Sequence, residues 1–182
     1  MLSLDAPVTS QVLDLGTGTG CIAITLAAER PSWQVSAVDF SKACVELAQR
    51  NAKQMGVTNI SFCSSDWYSG LSPGLTFDII VSNPPYVDPA SHYLNEGDVR
   101  FEPHSALTAS EKGLADIENI IAKAPRYLKP NGNLWLEHGF DQAQAVRGLL
   151  STAGFVEVAT DRDFGGNDRC SGGRFLGKKE TE

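Results

Sequence analysis

Apolar residues come along this chain in short compact runs, separated by stretches with a helical period. Gln11-Val12-Leu13-Asp14-Leu15 and residues 33–38, 59–63, 77–81, 133–137, 155–159 and 174–176 read as strands of a buried sheet. Between them lie helical patterns. Cys21–Glu29 is Ala-rich and stops before Pro31. Ser41 stands as an N-cap for a helix with Cys44, Val45, Ala48, Ala52 and Met55 on one face, which Gly56 ends. Leu114, Ile117, Ile120, Ile121 and Ala124 form a third stripe, closed by Pro125. Asp141 with Gln144 has the spacing of a capping box for a fourth helix running to Thr152, with Gly154 as its stop. The polar residues 161–173 read as a connection. Strands alternating with helices predict a doubly wound, mostly parallel seven-stranded α/β sheet with helices on both faces.

In such a sheet ligands sit beyond the carboxyl ends of the strands, and four candidate motifs fall there. Gly16-Thr17-Gly18-Thr19-Gly20 follows the first strand and opens a helix, so a ligand can approach bare backbone at a helix N-terminus. Its G-x-G-x-G spacing departs from the dinucleotide fingerprint and suits a nucleoside without a pyrophosphate. Asp39 ends the second strand and can accept hydrogen bonds from ribose hydroxyls, or favour the N-terminus of the Ser41 helix, and the two roles are compatible. Asp66 and Trp67 follow the third strand, where the acid can take an exocyclic amine and the indole a flat ring; core packing is the plainer role for Trp67.

Asn83-Pro84-Pro85-Tyr86 ends the fourth strand. Two prolines cannot continue a ladder and each fixes φ, so the chain stiffens where the strand stops. The Asn83 side-chain oxygen and the Pro84 carbonyl are acceptors beside the Tyr86 ring, which suits a planar NH2 group; a strand-ending turn is the plainer alternative. Residues 87–112 show no period, and an uninterrupted stretch that long points to function. It carries His92, Tyr93, Arg100, Phe101, Glu102 and His104.

Composition narrows the field. The 182 residues suffice for one domain, and the net charge of −7 argues against a large nucleic-acid footprint. No apolar run has the length of a membrane span, and no signal pattern opens the chain. Cys21, Cys44, Cys63 and Cys170 lack metal spacing and read as buried free thiols in a reducing cytoplasm, with no metal site expected.

Together the glycine loop, the acid ending strand two and Asn83-Pro84-Pro85-Tyr86 resemble the class I, Rossmann-like S-adenosylmethionine-dependent methyltransferases that act on a planar nitrogen. Asp14-Leu15-Gly16-Thr17-Gly18-Thr19-Gly20, Ser65-Asp66-Trp67, Ile80-Val81-Ser82-Asn83-Pro84-Pro85-Tyr86, Gly97-Asp98-Val99-Arg100-Phe101-Glu102-Pro103 and Leu136-Glu137-His138-Gly139 resemble the HemK/PrmC-type peptide chain release factor glutamine methyltransferases. The resemblance spans residues 11–177 and implies a cytoplasmic catalytic domain, working as a monomer. It further implies S-adenosylmethionine as cofactor, S-adenosylhomocysteine as product, and the glutamine of a Gly-Gly-Gln loop in class I release factors as target. It implies cofactor contacts from Gly16, Thr17, Gly18, Thr19, Gly20, Asp39, Asp66, Trp67 and Asn83. Catalysis falls to Asn83, Pro84, Pro85 and Tyr86, which also bind substrate with Arg100, Phe101 and Glu102. His92, His104 and His138 are given structural roles.

Members of that family usually carry a helical N-terminal domain, whereas here residues 1–10 are a lead-in, and residues 178–182 are expected to fray. That makes the chain either an excised catalytic domain or a short variant. Three other functions remain: an adenine-N6 DNA or RNA methyltransferase, a cofactor-binding module without turnover, and, on the glycine spacing, a nicotinamide oxidoreductase.

Overall fold

The computed structural model describes residues 7–86 and 113–177. Its seven strands are β1 (Gln11–Leu15), β2 (Gln34–Asp39), β3 (Ile60–Ser64), β4 (Phe77–Ser82), β5 (Leu128–Glu137), β6 (Phe155–Arg162) and β7 (Asp168–Phe175). They form one sheet in the order β3-β2-β1-β4-β5-β7-β6. Among the described residues the α-helices are α1 (Cys21–Glu29), α2 (Lys42–Gln54), α3 (Ala115–Lys123) and α4 (Ala143–Thr152), with a 3-10 turn at Ala124–Arg126. The pairs from β3 through β5 are parallel, and β7 runs antiparallel to both of its neighbours. The reversal follows from chain length: five residues separate β6 from β7, enough for a hairpin and too few for a crossover.

Strand alternation divides the core between the two faces. Leu13, Leu15, Phe77, Ile80, Leu134 and Leu136 face α3 and α4, meeting Ile117, Ile120, Ile121, Val146 and Leu150. On the other face Val12, Val35, Ala37, Ile79 and Val81 meet Ala23 and Ala27 of α1. Burying strands on both faces explains why they read as continuous apolar runs. Small residues let α1 lie close: a Cβ at Gly20 would stand 2.7 Å from Ile24 Cδ1 and 3.0 Å from Ala48 of α2. Ser41 caps α2 as its sequence predicts, accepting from the Cys44 N–H at 3.4 Å.

Four expectations need correction. β5 begins at Leu128, because Pro130-Asn131-Gly132, which looks like a turn, is a bulge between the Phe77–Leu128 and Ile79–Asn133 pairs. The polar stretch 161–173 is largely paired strand, with only residues 163–167 between β6 and β7. Asp161 and Arg162 are exposed because β6 is the edge strand, whereas Ser171, Gly172 and Gly173 are small residues buried on β7 between β5 and β6. No capping box forms at α4; Gln142 precedes the helix and its side chain turns elsewhere. Finally, Cys21 and Cys63 are exposed and Cys44 and Cys170 half-buried, since α1 turns its first residue outward and β3 is the other edge strand.

Candidate active site

The carboxyl ends of β1, β2, β3 and β4 are bound to one another by backbone and short side chains. Gly16 and Thr17 both donate their N–H to the Val38 carbonyl at 2.9 Å, and Ser65 donates to the Asp39 carbonyl at 2.9 Å. The Ser82 hydroxyl donates to the Leu15 carbonyl at 2.7 Å, which ties the start of the Asn83 segment to the start of the glycine loop. The four predicted motifs therefore share one edge.

Within the glycine loop, Asp39 accepts from Gly18 N–H at 2.8 Å and from Ser41 N–H at 2.8 Å. The acid thus holds the loop and the start of α2 together. Its carboxylate has about four acceptor sites, so hydroxyl donors still find room. Thr19 is fixed through its carbonyl, which accepts from Asn51 Nδ2 at 2.9 Å. Above Gly18 there is open space: a Cβ built there meets no atom within 4 Å, and its φ of +56° favours glycine. The loop therefore offers the exposed backbone and helix N-terminus that a nucleoside cofactor requires, and the residues present fit such a group.

Asp14, to which its place in the sequence assigned no role, lies under this loop. It is 1% exposed, and one carboxylate oxygen accepts from Thr17 Oγ1 at 2.7 Å. The other oxygen has no well-formed hydrogen bond among the described residues, although the Ala23 N–H at the start of α1 favours the charged form. Burial pushes the carboxyl up to about 7. Its sequence signal was plain: a lone acid inside a central, otherwise apolar strand.

Trp67 closes another side. It adopts φ 48°, held by Ser65 Oγ donating to its carbonyl at 2.6 Å. Its ring lies over Gly16, where an added Cβ would approach Cζ3 to 3.3 Å. The indole hydrogen-bonds Asp116 of α3, which offsets part of the upward shift that burial gives that carboxyl. Asp66 beside it is exposed.

Asn83 is exposed at the lip, Pro84 is buried, and Pro85 and Tyr86 are half-buried. The Tyr86 hydroxyl donates to Glu137 Oε1 at 3.2 Å at the end of β5. Burial and then the Glu137 charge raise its pKa, while Arg169 on β7 counters the shift. The Tyr86 carbonyl accepts from Gln142 Nε2 at 3.0 Å. Glu137, Arg169 and Gln142 were not singled out from their residue types: Gln142 and Gln144 look alike in one dimension, and Arg169 lay in the stretch read as a connection. His138 is fully buried, with Nε2 2.7 Å from Ser171 Oγ and Nδ1 2.8 Å from the Gly139 carbonyl, so its expected structural role holds. Arg100, Phe101, Glu102, His92 and His104 lie outside the described residues. Among those described, no group of three or more His, Cys, Asp or Glu could hold a metal, and no helix is long and apolar enough to cross a membrane.

A model of the methyltransferase domain family matches residues 8–157. The chain belongs to the methyltransferase domain family. It is 50% identical over 176 residues to the release factor glutamine methyltransferase of Shewanella oneidensis, a match covering 97% of this chain and 61% of that protein. With the protein of the same name from Salmonella typhimurium it is 52% identical over 167 residues, covering 92% of this chain and 60% of the relative. The chain thus spans about three-fifths of the length of these curated relatives. Among solved structures, a methyltransferase from Pyrococcus furiosus superposes with a TM-score of 0.71 at 20% identity, over 93% of this chain and 76% of that one. A ribosomal protein L11 methylase from Lactobacillus delbrueckii subsp. bulgaricus gives 0.67 at 19%, over 92% and 71%. These two likenesses show that the methyltransferase fold is shared.

Proposed function

We propose that residues 11–177 are the catalytic domain of a release factor glutamine methyltransferase, working as a cytoplasmic monomer. S-adenosylmethionine is the methyl donor, and the target is the side-chain amide nitrogen of the glutamine in a Gly-Gly-Gln loop. The observation that carries this reading is half-identity to proteins of that name across nearly the whole chain, with Asn83-Pro84-Pro85-Tyr86 set beside a glycine loop that is open over Gly18.

Gly16, Gly18, Gly20 and the start of α1 would receive the cofactor, with Asp39 on the ribose and Asp66 and Trp67 at the adenine. When bound, that group supplies a methyl already activated on a sulfonium. The chain's own task is to prepare a poor nucleophile. An amide lone pair is delocalised into its carbonyl. Accepting both N–H bonds, at Asn83 Oδ1 and the Pro84 carbonyl, aims the lone pair and stabilises the positive charge that develops on nitrogen. A C–N bond forms as the C–S bond breaks, and the proton then shed by nitrogen passes to water, so no strong base is required. Arg100, Phe101 and Glu102 complete the substrate wall in this reading.

The test is mass spectrometry of a recombinant release factor incubated with the protein and S-adenosylmethionine. One added methyl on the Gly-Gly-Gln peptide is expected. The Asn83→Ala variant should keep most of its affinity for S-adenosylhomocysteine and transfer methyl more slowly by roughly two to four orders of magnitude. Methyl on duplex DNA or tRNA, with the factor unlabelled, would hand the activity to the adenine class.

A further inference from the structure

We propose that Gln142 is a positioning residue for the amide clamp, held in place by a one-way hydrogen-bond chain that starts on α4 and the β6–β7 hairpin. The inference rests on the clamp role given above to Asn83 and the Pro84 carbonyl.

The direction of each bond is fixed by chemistry. The Tyr86 carbonyl can only accept, and the Gly139 N–H can only donate. One orientation of the Gln142 amide satisfies both, with Nε2 donating to Tyr86 O at 3.0 Å and Oε1 accepting from Gly139 N at 2.8 Å. The Gly139 carbonyl, again only an acceptor, lies 2.8 Å from His138 Nδ1, so Nδ1 carries the proton. Burial lowers the pKa of His138, which keeps the ring neutral and leaves Nε2 a lone pair. That lone pair takes the Ser171 hydroxyl at 2.7 Å. Ser171 Oγ in turn accepts from Thr160 at 2.6 Å, and Thr160 from Arg147 Nη1 at 2.8 Å. From Arg147 to Tyr86 each of these hydrogen bonds has one direction.

Both ends of the clamp segment are therefore anchored. Ser82 is held to β1 at one end, and the Tyr86 carbonyl and hydroxyl to Gln142 and Glu137 at the other. Two of the three residues between are prolines with fixed φ, so few torsions remain to turn the Pro84 carbonyl. Releasing the Tyr86 carbonyl frees those torsions, and the Pro84 oxygen loses its aim. Gly113 shields the anchor, since a Cβ on it would strike the Tyr86 carbonyl and stand 2.8 Å from Gln142 Nε2. A bond covered in this way is stronger than one open to water.

The experiment compares wild type with Gln142→Leu and Gln142→Glu on intact release factor. The Gln142→Glu side chain keeps the shape and the acceptor and loses the donor, so it carries the test if Gln142→Leu does not fold. Expected is a fall in kcat of about tenfold to a hundredfold, with affinity for S-adenosylhomocysteine within about twofold of wild type. In an Asn83→Ala background the same change should cost less than about threefold, because the clamp it positions is already broken. A kcat near wild type in both variants, or losses that multiply in the double variant, overturns the proposal. Nitrogen NMR of His138 gives a readout free of turnover: the Nδ1–H tautomer is expected, and the Nε2–H tautomer breaks the chain. A wild-type protein that methylates no release factor would refute the function proposed above, while the tautomer would still decide the chain.

Discussion

Replacing Asp14 by Asn should stabilise the ligand-free protein, and should do so only where the carboxyl ionises. The folded protein raises this group from 3.8 to about 7, chiefly by burial. A raised folded pKa means that the native state holds a proton that the unfolded chain has released. The group's contribution is therefore fully present below its unfolded value and is lost as pH climbs through the folded value. A rise of that size amounts to about 4 kcal/mol lost at alkaline pH. That net rise already includes the opposing pull of the Ala23 N–H at the α1 N-terminus, which favours the anion. Asn keeps an oxygen for Thr17 and carries no charge, so Asp14→Asn should gain up to about 4 kcal/mol near pH 8 and less than about 1 kcal/mol near pH 4. Urea unfolding of both proteins across that range measures the difference. Subtracting wild type from variant removes other titrations. His138 is one of these: its lowered pKa destabilises the fold as pH falls below its ordinary 6.5. A difference that stays flat with pH, or a wild type more stable than the variant near pH 8, would refute the account of Asp14 as a buried charge.

Asp39→Ala removes the acceptor for Gly18 and Ser41 together with the proposed ribose contact, so affinity for S-adenosylhomocysteine should fall about tenfold to a hundredfold by calorimetry. Unchanged affinity would take Asp39 out of the site. Gly113→Ala forces a Cβ onto the Tyr86 carbonyl at φ +79°, and should cost at least about 2 kcal/mol in urea unfolding. A loss below about 0.5 kcal/mol would show that the Gly113 backbone moves away freely.

What could be read from the sequence, and what could not, follows from burial. β1, β2 and β4 are covered on both faces, so they appear as apolar runs, and their ends are marked by the glycine loop, Asp39 and Asn83. Three of the four predicted motifs were legible because each follows such a run, whereas Asp66 and Trp67 follow the edge strand β3 and were read from their residue types. The end of β6 and most of β7 were hidden: the edge strand β6 carries Asp161 and Arg162 exposed, and the part of β7 before Arg174 is polar and glycine-containing, so the pattern resembles a loop. The cysteines misled for a related reason, since apolar character does not say which side of a helix or edge strand a residue takes. Gln142 was out of reach for a different one. Its partners, Gly139 and Tyr86, lie 3 and 56 residues away, and only the folded sheet edge brings both to one amide.

The antiparallel turn of β7 then has a purpose that the parallel strands cannot serve. A parallel strand delivers only its last residue, and the loop after it, to the ligand edge. β7 enters the sheet from that edge, so its first residues lie beside the end of β5, with Cys170 opposite Glu137 and Ser171 opposite Leu136. Arg169 donates to the His138 carbonyl at 3.3 Å and faces Tyr86, and Ser171 reaches His138 from below. These contacts come from paired backbone held on both sides, by β5 and β6, and not from a free loop. Side chains on rigid elements hold geometry more closely than side chains on loops. A hairpin inserted at this end of the sheet therefore supplies a stiff back wall for Tyr86 and Gln142, and the proposed clamp at Asn83 and Pro84 would take its aim from that wall.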